Sequence, residues 1–368
     1  MSPQTPRRIL LSCTQRLGDV LLATPLLRSL VRAWPLAQVD LLVFADTAAV
    51  LEGNPDVHQG SAVPRRAPPG QRLGELRRLW RRYDLALSPL PTDRARLYVW
   101  AAASRRLGLL RREGKDRAKA LLLSQWRYFD DVDTHTVSMG LQLAELLAIA
   151  PCHQVVVPAL APSRRDALWA RLALGGQRYA VLHCHPRFRY KMWTAPAWLA
   201  LAAWLKQQGL ALVFSGGGEA EERAYVAAIV NQVGGIDCAG QLTLAETAEL
   251  IAAAALYVGP DTVATHIAAA TGTATVALFG PSNPVKWGPW PRHWQQDASP
   301  WARRGSGRQG NVYLLQGEDA RGCVPCLLEG CQRHVDSRSD CLVNLPAQRV
   351  IAAAAEMLAS STKGASQI

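Results

Sequence analysis

The segment 256–284, LYVGPDTVATHIAAATGTATVALFGPSNP, constrains the fold of this chain more than any other part. Two apolar runs, each closed by Gly-Pro, flank an alanine-rich stretch that begins at Asp261-Thr262. The order strand, helix, strand predicts a βαβ unit, and its crossover implies a parallel sheet. Ligands bind at the carboxyl ends of such strands, where the free N–H groups of a helix N-terminus suit a phosphate. We therefore expect Asp261, Thr262 and His266 to contact an anionic ligand.

A purely structural role is the alternative for Asp261 and Thr262, because both residue types are favoured at helix N-caps. The next predicted strand, 274–279, ends in a second Gly-Pro turn at Gly280. Two adjacent turns on one sheet edge form a crevice, and this arrangement favours a ligand site over capping alone.

The N-terminus carries a second βαβ pattern. It consists of a predicted strand over 8–13, a polar turn, a helix over 19–34 that Pro25 interrupts, and a strand over 39–44. The turn lacks the pattern G-x-G-x-x-G, so it does not match a dinucleotide-binding fingerprint. Asp19 stands at the helix start, where an aspartate serves as a cap and favourably meets the helix dipole.

These two segments resemble the signature motifs of the bacterial heptosyltransferases, glycosyltransferase family nine. The N-terminal motif reads QRLGDVLLATPLL, and the C-terminal one reads DTVATHIAAA followed by LFGPS. Most members carry Gly after Asp-Thr; Val263 here resembles the branch that adds a third, side-branch heptose to the lipopolysaccharide core of Gram-negative bacteria. The resemblance implies an α/β protein of GT-B architecture, with two doubly wound parallel-sheet (Rossmann-like) domains facing a cleft. It also implies that Asp19, which follows Gly18, is the general base that deprotonates the acceptor hydroxyl.

Domain boundaries follow from the extended, proline-containing segment around 155–163. We expect an N-terminal acceptor-binding domain over 1–158 and a C-terminal domain over 164–345 that binds a nucleotide-sugar donor. A final helix over 346–360 is expected to pack back on the N-terminal domain, as in folds of this type.

The loop after the predicted strand 179–184 contains a lysine in the pattern His-Pro-x4-Lys-Met-Trp. Lys191 can neutralise a diphosphate as a point charge, and the spacing resembles the family's donor loop. Arg187 and Arg189 are candidates to share the phosphate. A glycine-rich turn follows the next strand, and the family places an acidic residue there for the nucleoside; Glu219, Glu221 and Glu222 compete for this role. Their alternative role is to stabilise the first turn of the following helix.

The net charge of +12 is concentrated in the region 65–127, which is rich in arginine. Such a surface attracts an anionic partner, although charge runs are more often simply solvated. No nucleic-acid-binding module accompanies it, so we expect no nucleic acid partner. We instead assign the region to the anionic lipid A–core acceptor, with Gly18, Arg105 and Arg106 as candidate contacts of the acceptor or of a phosphate.

Four clustered cysteines follow at Cys323, Cys326, Cys331 and Cys341. The first pair has zinc-ligand spacing, but the remainder matches no common zinc finger. Free thiols or disulfides are the alternatives, and the cytosol disfavours disulfides. The tail resembles that of the third-heptose transferases, which leaves metal binding open, and we expect no metal requirement.

The combined expectation is an inverting glycosyltransferase that moves heptose from ADP-L-glycero-D-manno-heptose to the inner core of lipopolysaccharide. No cofactor is needed if Lys191, Thr262 and the helix N-terminus stabilise the departing ADP. Neither a signal peptide nor a membrane span is predicted, so the enzyme is expected in the cytoplasm, peripheral at the cytoplasmic face of the inner membrane. The alternatives are a GT-B transferase or epimerase acting on another nucleotide-sugar, and a non-catalytic binder of anionic glycolipids.

Overall fold

The structure, a computed structural model, describes residues 5–112 and 114–365. The chain divides into two compact units. The first comprises Met1–Pro158 with Gln295–Ser299, and the second comprises Ala159–Trp294 with Pro300–Ile368. Each unit is built on one sheet, of six strands in the first and seven in the second. This confirms the predicted α/β class with two parallel-sheet domains.

The first sheet is wholly parallel, with strand order β3-β2-β1-β4-β5-β6. Its strands are β1 Arg8–Cys13, β2 Gln38–Phe44, β3 Gln59–Val63, β4 Tyr83–Ser88, β5 Ala103–Leu110 and β6 Gln125–Tyr128. The helices are α1 Leu17–Leu22, α2 Thr24–Ala33, α3 Pro69–Leu79, α4 Asp93–Ala102, α5 Gly114–Arg117 and α6 Thr136–Leu146, with 3-10 turns at Ala45–Leu51 and Ala118–Leu122. Since β1 is central and apolar, its residues after Arg8 are buried, which fixes the loop that follows it.

The predicted single helix over 19–34 is two helices in the structure. α1 begins at Leu17, and α2 begins at Thr24 with Pro25 in its first turn. Proline lacks a backbone N–H and therefore fits the first turn of a new helix better than the interior of a continuous one. The interruption at Pro25 is thus confirmed, while the predicted start at Asp19 is two residues late.

The second sheet has the order β12-β13-β11-β10-β7-β8-β9, in which only β12 runs antiparallel to its neighbour. Its strands are β7 Tyr179–His183, β8 Ala211–Ser215, β9 Ile236–Asp237, β10 Leu256–Pro260, β11 Thr275–Phe279, β12 Gly307–Gln309 and β13 Val312–Gln316. The helices are α7 Pro162–Leu172, α8 Ala195–Gln207, α9 Ala220–Val233, α10 Leu244–Ala252, α11 Val263–Thr271, α12 Pro284–Trp287, α13 Asp340–Val343 and α14 Ala347–Ala365, with a 3-10 turn at Arg189–Lys191. The predicted unit around 256–284 is therefore β10, α11 and β11, and β10 pairs with β11 in parallel.

The C-terminal helix α14 packs inside the second unit, against α8 and strands β10, β11 and β13. Its Val350, Ala354 and Met357 lie one helical turn apart and are buried in the same apolar core as Trp198. The predicted packing of 346–360 on the first domain stays a prediction. Over 5–112 and 114–365, no helix is both long and apolar enough to cross a bilayer.

The tail before α14 is tied to the loop after β7. Ser339 Oγ donates to the Tyr190 carbonyl at 2.7 Å, and Trp193 Nε1 donates to the Leu345 carbonyl at 2.9 Å. Trp193 also packs edge-on against Trp198, with ring centroids 4.9 Å apart. Because both hydrogen bonds are buried, residues 339–345 hold this loop in place.

Candidate functional site

Four adjacent strands of the second sheet, in the order β11-β10-β7-β8, bring their carboxyl ends to one edge. The loops that follow them carry Lys191, the turn at Gly216, the pair Asp261-Thr262 and the turn at Gly280. This is the edge at which open α/β sheets bind ligands. The structure therefore brings the sequence-predicted donor residues onto one side of one domain.

A salt bridge joins the loops after β7 and β10. Lys191 Nζ donates to Asp261 Oδ2 at 2.5 Å and to the Asp261 carbonyl oxygen at 3.2 Å. The side chains are 18% and 9% exposed, so the pair is largely shielded from water. The carboxylate of Asp261 thus fixes the ammonium group beside the N-terminus of α11.

The protonation states around this pair are set by burial and by charge. Burial alone would raise the pKa of Asp261, but the charge of Lys191 and the neighbouring His266 hold it below its usual value. Burial lowers the pKa of His266 to about 4, against the opposing attraction of Asp261. At neutral pH Asp261 is therefore a carboxylate and His266 a neutral imidazole. Nε2 of His266 lies 3.9 Å from Asp261 Oδ1.

The N-terminus of α11 is available to a ligand from the Thr262 side. Thr262 occupies the N-cap position with extended backbone, but its side chain makes no capping hydrogen bond. Its hydroxyl lies 3.4 Å from that of Thr265, which also meets the Tyr257 hydroxyl at 3.0 Å and donates to the Pro260 carbonyl. The alternative that Thr262 serves as a side-chain N-cap is therefore not seen in the structure. Buried hydroxyls beneath the turn instead hold Thr262 in place.

The second Gly-Pro turn reaches the same carboxylate, as the adjacency of β10 and β11 requires. The Ser282 hydroxyl hydrogen-bonds the Asp261 side chain and helps to lower its pKa. Ser282 was not singled out from the sequence. Its signal was available, since it stands two residues after Gly280 in the turn expected to share the crevice.

The three competing glutamates have three different roles. Glu222 is buried, and its carboxylate accepts the Gly217 N–H at 2.6 Å. Burial raises the pKa of Glu222, while this hydrogen bond opposes the rise. Glu219 is exposed at the N-cap of α9 without a side-chain cap, and Glu221 pairs with Arg189 at 2.5 Å. Glu222 therefore supports the glycine turn from below, while Glu219 and Glu221 remain at the surface.

His185 was missed by the sequence reasoning. It follows β7, is 7% exposed, and both ring nitrogens lack a hydrogen-bond partner among the described residues. Burial lowers the pKa of His185, with Glu221 acting in the opposite direction. The ring packs edge-on against Tyr225 with centroids 5.3 Å apart, and Nε2 lies 3.9 Å from Glu221 Oε1. Arg187, two residues on, is exposed.

Asp19 lies in the first unit, in the first turn of α1 and just beyond the carboxyl end of β1. Its carboxylate accepts the Arg16 N–H at 3.3 Å, which is the helix-capping interaction expected of an aspartate at this position. Gly18 precedes it in the same turn, and Arg65 donates to the Gln15 carbonyl at 3.2 Å, which ties the loop to the residues after β3. Asp19 is half-buried, at the edge where this sheet would bind a ligand.

Arg105 and Arg106 lie in the amino-terminal half of β5, opposite the edge that carries Asp19. This position does not favour the predicted contact with the acceptor. The arginines that follow the carboxyl end of β5 are Arg111 and Arg112. Together with Tyr128 they line an open cavity of about 670 Å³. The role of Arg105 and Arg106 stays a prediction, and only the strand direction shows which end of this basic strand faces the ligand edge.

The four tail cysteines are free thiols, with Cys341 buried and Cys331 exposed. Burial raises the pKa of Cys341 to about 12, and the three neighbouring sulfurs add to the rise. Cys331 Sγ accepts from the Asp340 N–H at 3.3 Å. In residues 5–112 and 114–365, no group of three or more His, Cys, Asp or Glu side chains is arranged to hold a metal ion. The zinc hypothesis therefore gains no support from the geometry.

Comparison with known proteins covers both units. A model of Glycosyltransferase family 9 (heptosyltransferase) matches residues 76–299. Lipopolysaccharide heptosyltransferase 3 of Escherichia coli is 26% identical over 365 residues, which span 95% of this chain and 98% of that protein. The structure of the family 9 glycosyl transferase from Veillonella parvula aligns with a TM-score of 0.76 at 19% identity, covering 96% and 97% of the two chains. That of E. coli ADP-heptose lps heptosyltransferase II gives 0.71 at 20% identity, covering 96% and 99%.

Proposed function

This chain belongs to glycosyltransferase family 9, the heptosyltransferases, and from that premise we propose that it transfers heptose from ADP-L-glycero-D-manno-heptose to an inner-core hydroxyl of lipopolysaccharide. Three observations support the proposal: the overall similarity to lipopolysaccharide heptosyltransferase 3, the GT-B fold, and a donor edge built for a diphosphate. The strongest support is the Lys191–Asp261 ion pair at the start of α11.

Donor recognition rests on the positive end of α11 and one lysine. A diphosphate bound there would meet the Thr262 hydroxyl, the first N–H groups of the helix and the Lys191 ammonium. Asp261 is a positioning residue in this proposal, because it holds the ammonium in place before the donor arrives. These groups meet the charge that develops on ADP as the glycosidic C–O bond breaks, so the chain's own residues supply the stabilisation.

The transfer itself is a single displacement with inversion. The acceptor hydroxyl oxygen forms a bond to the anomeric carbon, ADP leaves from the opposite face with the electron pair of the broken C–O bond, and Asp19 takes the hydroxyl proton. The backbone bond from Arg16 occupies Asp19 Oδ2 and orients the carboxylate. An ionised carboxylate has several acceptor positions and can take up a proton as a general base.

The acceptor is an anionic saccharide in this proposal, and the first unit supplies its cationic contacts. Arg111 and Arg112 flank an exposed Tyr128 at the carboxyl edge of β5 and β6, a combination suited to phosphorylated sugars. The unit would work at the cytoplasmic face of the inner membrane, to which it would bind peripherally.

One assay separates this proposal from its alternatives. Purified protein is mixed with lipid A–core acceptor and either ADP-heptose or other nucleotide-sugars, and release of the nucleotide is followed. Release of ADP from ADP-heptose alone is expected. Preference for another sugar nucleotide would favour a different GT-B transferase or epimerase, and no release from any donor would favour a non-catalytic glycolipid binder.

Asp19→Asn tests the base directly. We expect turnover to fall by a factor of about 10² to 10⁴, the usual contribution of a general base. ADP affinity measured by calorimetry should stay within about twofold of wild type, because the donor is held by the other domain. Turnover within tenfold of wild type would remove Asp19 from this role.

A further inference from the structure

A second basic surface lies at the amino-terminal edge of the first sheet, where β4, β5 and β6 begin. We call it the amino-edge surface; it consists of Trp80, Arg81, Arg82, Arg105, Arg106 and Leu121. α3 runs back from the carboxyl edge and ends at Leu79, which places Trp80 to Arg82 beside the first residues of β5. The mechanism proposed above uses none of these side chains.

Its arginines are held close together without acidic partners. Arg81 Nη1 donates to Ser104 Oγ at 2.7 Å, and Arg106 N–H donates to Ser124 Oγ at 3.1 Å, while the Ser124 hydroxyl donates to the Ser104 carbonyl at 3.0 Å. Burial and the charge of Arg81 lower the pKa of Arg106, so the two guanidiniums repel each other. Uncompensated repulsion of this kind is relieved by an external anion.

Neighbouring acidic groups do not neutralise the surface. Within 5–112 and 114–365, none of the four arginines forms a salt bridge with an aspartate or glutamate. Asp84, the nearest acid in sequence, uses one carboxylate oxygen to accept the N–H groups of Arg7 and Arg8 at 2.8 and 2.9 Å. Asp40 accepts from Tyr83 at 2.8 Å and faces His58 and Arg8.

Large apolar side chains stand exposed among these charges. Leu121 is 84% exposed, three residues before Ser124, and Trp80 is 49% exposed. The Trp80 ring packs edge-on against Trp100, 5.3 Å away, with the Arg81 guanidinium at 5.5 Å from its centroid. Tryptophan is enriched at membrane–water interfaces, where its ring lies at the headgroup level, and nearby basic side chains are attracted to anionic lipids.

From this geometry we infer that the amino-edge surface binds the anionic phospholipid headgroups of a bilayer, with Trp80 and Leu121 inserted between them. The inference rests on the proposed membrane association and names the face that makes it. A bilayer is favoured over nucleic acid because the surface adds exposed aliphatic and indole groups to its charge. β1 spans about 20 Å at 3.3 Å per residue, so Asp19 would stand about that far above the headgroups, within the core saccharide rather than the lipid.

Vesicle co-sedimentation tests the inference with the full-length protein. The vesicles contain phosphatidylcholine alone or with about 30 mol % phosphatidylglycerol, a typical anionic surface. Wild type is expected to sediment with the anionic vesicles only, and to be released by about 1 M salt, which screens surface charges. Arg81→Glu/Arg82→Glu should lower the partition coefficient at least about twentyfold, because each basic residue near such a surface contributes about fivefold. Leu121→Ser, at a position that packs on little, should lower it about threefold through lost insertion.

Arg303→Glu/Arg304→Glu is the matched control, with the same charge change at exposed positions of the second unit. It should bind vesicles like wild type. An equal loss in the control would show net charge alone at work and would overturn the inference, as would wild-type-like binding by Arg81→Glu/Arg82→Glu or preferential binding of RNA over vesicles. If wild type sediments with neither vesicle, the proposed membrane association itself fails. ADP release with a deacylated, water-soluble acceptor should be unchanged in every variant, which separates this result from a failure of the proposed reaction.

Discussion

Asp261→Asn removes one charge from the Lys191–Asp261 pair at the proposed donor edge. The partner ammonium stays only 18% exposed and keeps the Asp261 carbonyl at 3.2 Å as an acceptor. Breaking a buried ion pair from one side costs about 3 to 5 kcal/mol, and the remaining acceptor argues for the lower end, about 3 kcal/mol. In a domain of this size each kcal/mol moves Tm by about 2 to 4 °C, so we expect a fall of about 6 to 12 °C in the absence of nucleotide.

ADP should reverse much of that loss. In the proposed wild-type complex the diphosphate shares Lys191 with the Asp261 carboxylate, which repels it. In Asp261→Asn that carboxylate is gone, so the Lys191 ammonium would pair with the diphosphate alone. We therefore expect ADP to bind the variant about tenfold more tightly, which corresponds to about 1.4 kcal/mol. The Tm shift caused by saturating ADP should accordingly be larger than in wild type, by scanning calorimetry on both proteins.

The double variant Lys191→Met/Asp261→Asn is the control. Replacing both members of a buried pair costs far less than removing one, so its free energy of unfolding without nucleotide should recover to within about 1 kcal/mol of wild type. Its ADP affinity should fall at least about tenfold, because the phosphate has lost its cation. An unchanged Tm in Asp261→Asn would refute the stabilising role of the buried pair, and weaker ADP binding by that variant would refute the repulsion between Asp261 and the diphosphate.

Two further predictions concern groups beneath the site. Glu222→Ala should raise KM for the donor at least about tenfold with little effect on kcat, whereas Glu222→Gln, which still accepts the Gly217 N–H, should stay within about threefold; equal damage in both would show that the charge itself binds the substrate. His266 has a folded pKa of about 4, below its ordinary value, so the stability it contributes is full above pH 6.5 and is lost as pH falls toward 4. Between pH 6.5 and 5 this residue should account for about 2 kcal/mol of the fall in the free energy of unfolding. Urea unfolding of His266→Gln should therefore show a fall that is smaller by about this amount, and an equal fall in both proteins would contradict a neutral, buried His266.

Local sequence patterns predicted the order of strands and helices well where buried strands end in glycine and proline. The unit β10–α11–β11 has the predicted order and parallel pairing, because consecutive apolar runs joined by one helix leave few alternatives. The side-chain roles were harder. Sequence could not show that Glu222 turns inward to Gly217 while Glu221 turns outward to Arg189, since both occupy the first turn of α9.

Strand direction explains why the sequence did not show which arginines of the basic region lie at the carboxyl edge of the first sheet. Arg105 and Arg106 belong to a basic run that reads evenly along the sequence, yet β5 places them at one end and Arg111 and Arg112 at the other. Likewise, Ser282 and His185 become relevant only when β11, β10 and β7 are known to be neighbours. These assignments depend on contacts between residues distant in the chain, which spacing alone does not encode.

The two tail hydrogen bonds to the loop after β7 have a consequence for how the protein is made. Tyr190 and Trp193 leave the ribosome about 150 residues before Ser339 and Leu345, their partners. During translation the loop that carries Lys191, part of the proposed donor site, therefore cannot form these hydrogen bonds until almost the whole polypeptide has been made. A nascent chain stalled before residue 339 should consequently fail to retain ADP, however well its first sheet has already folded.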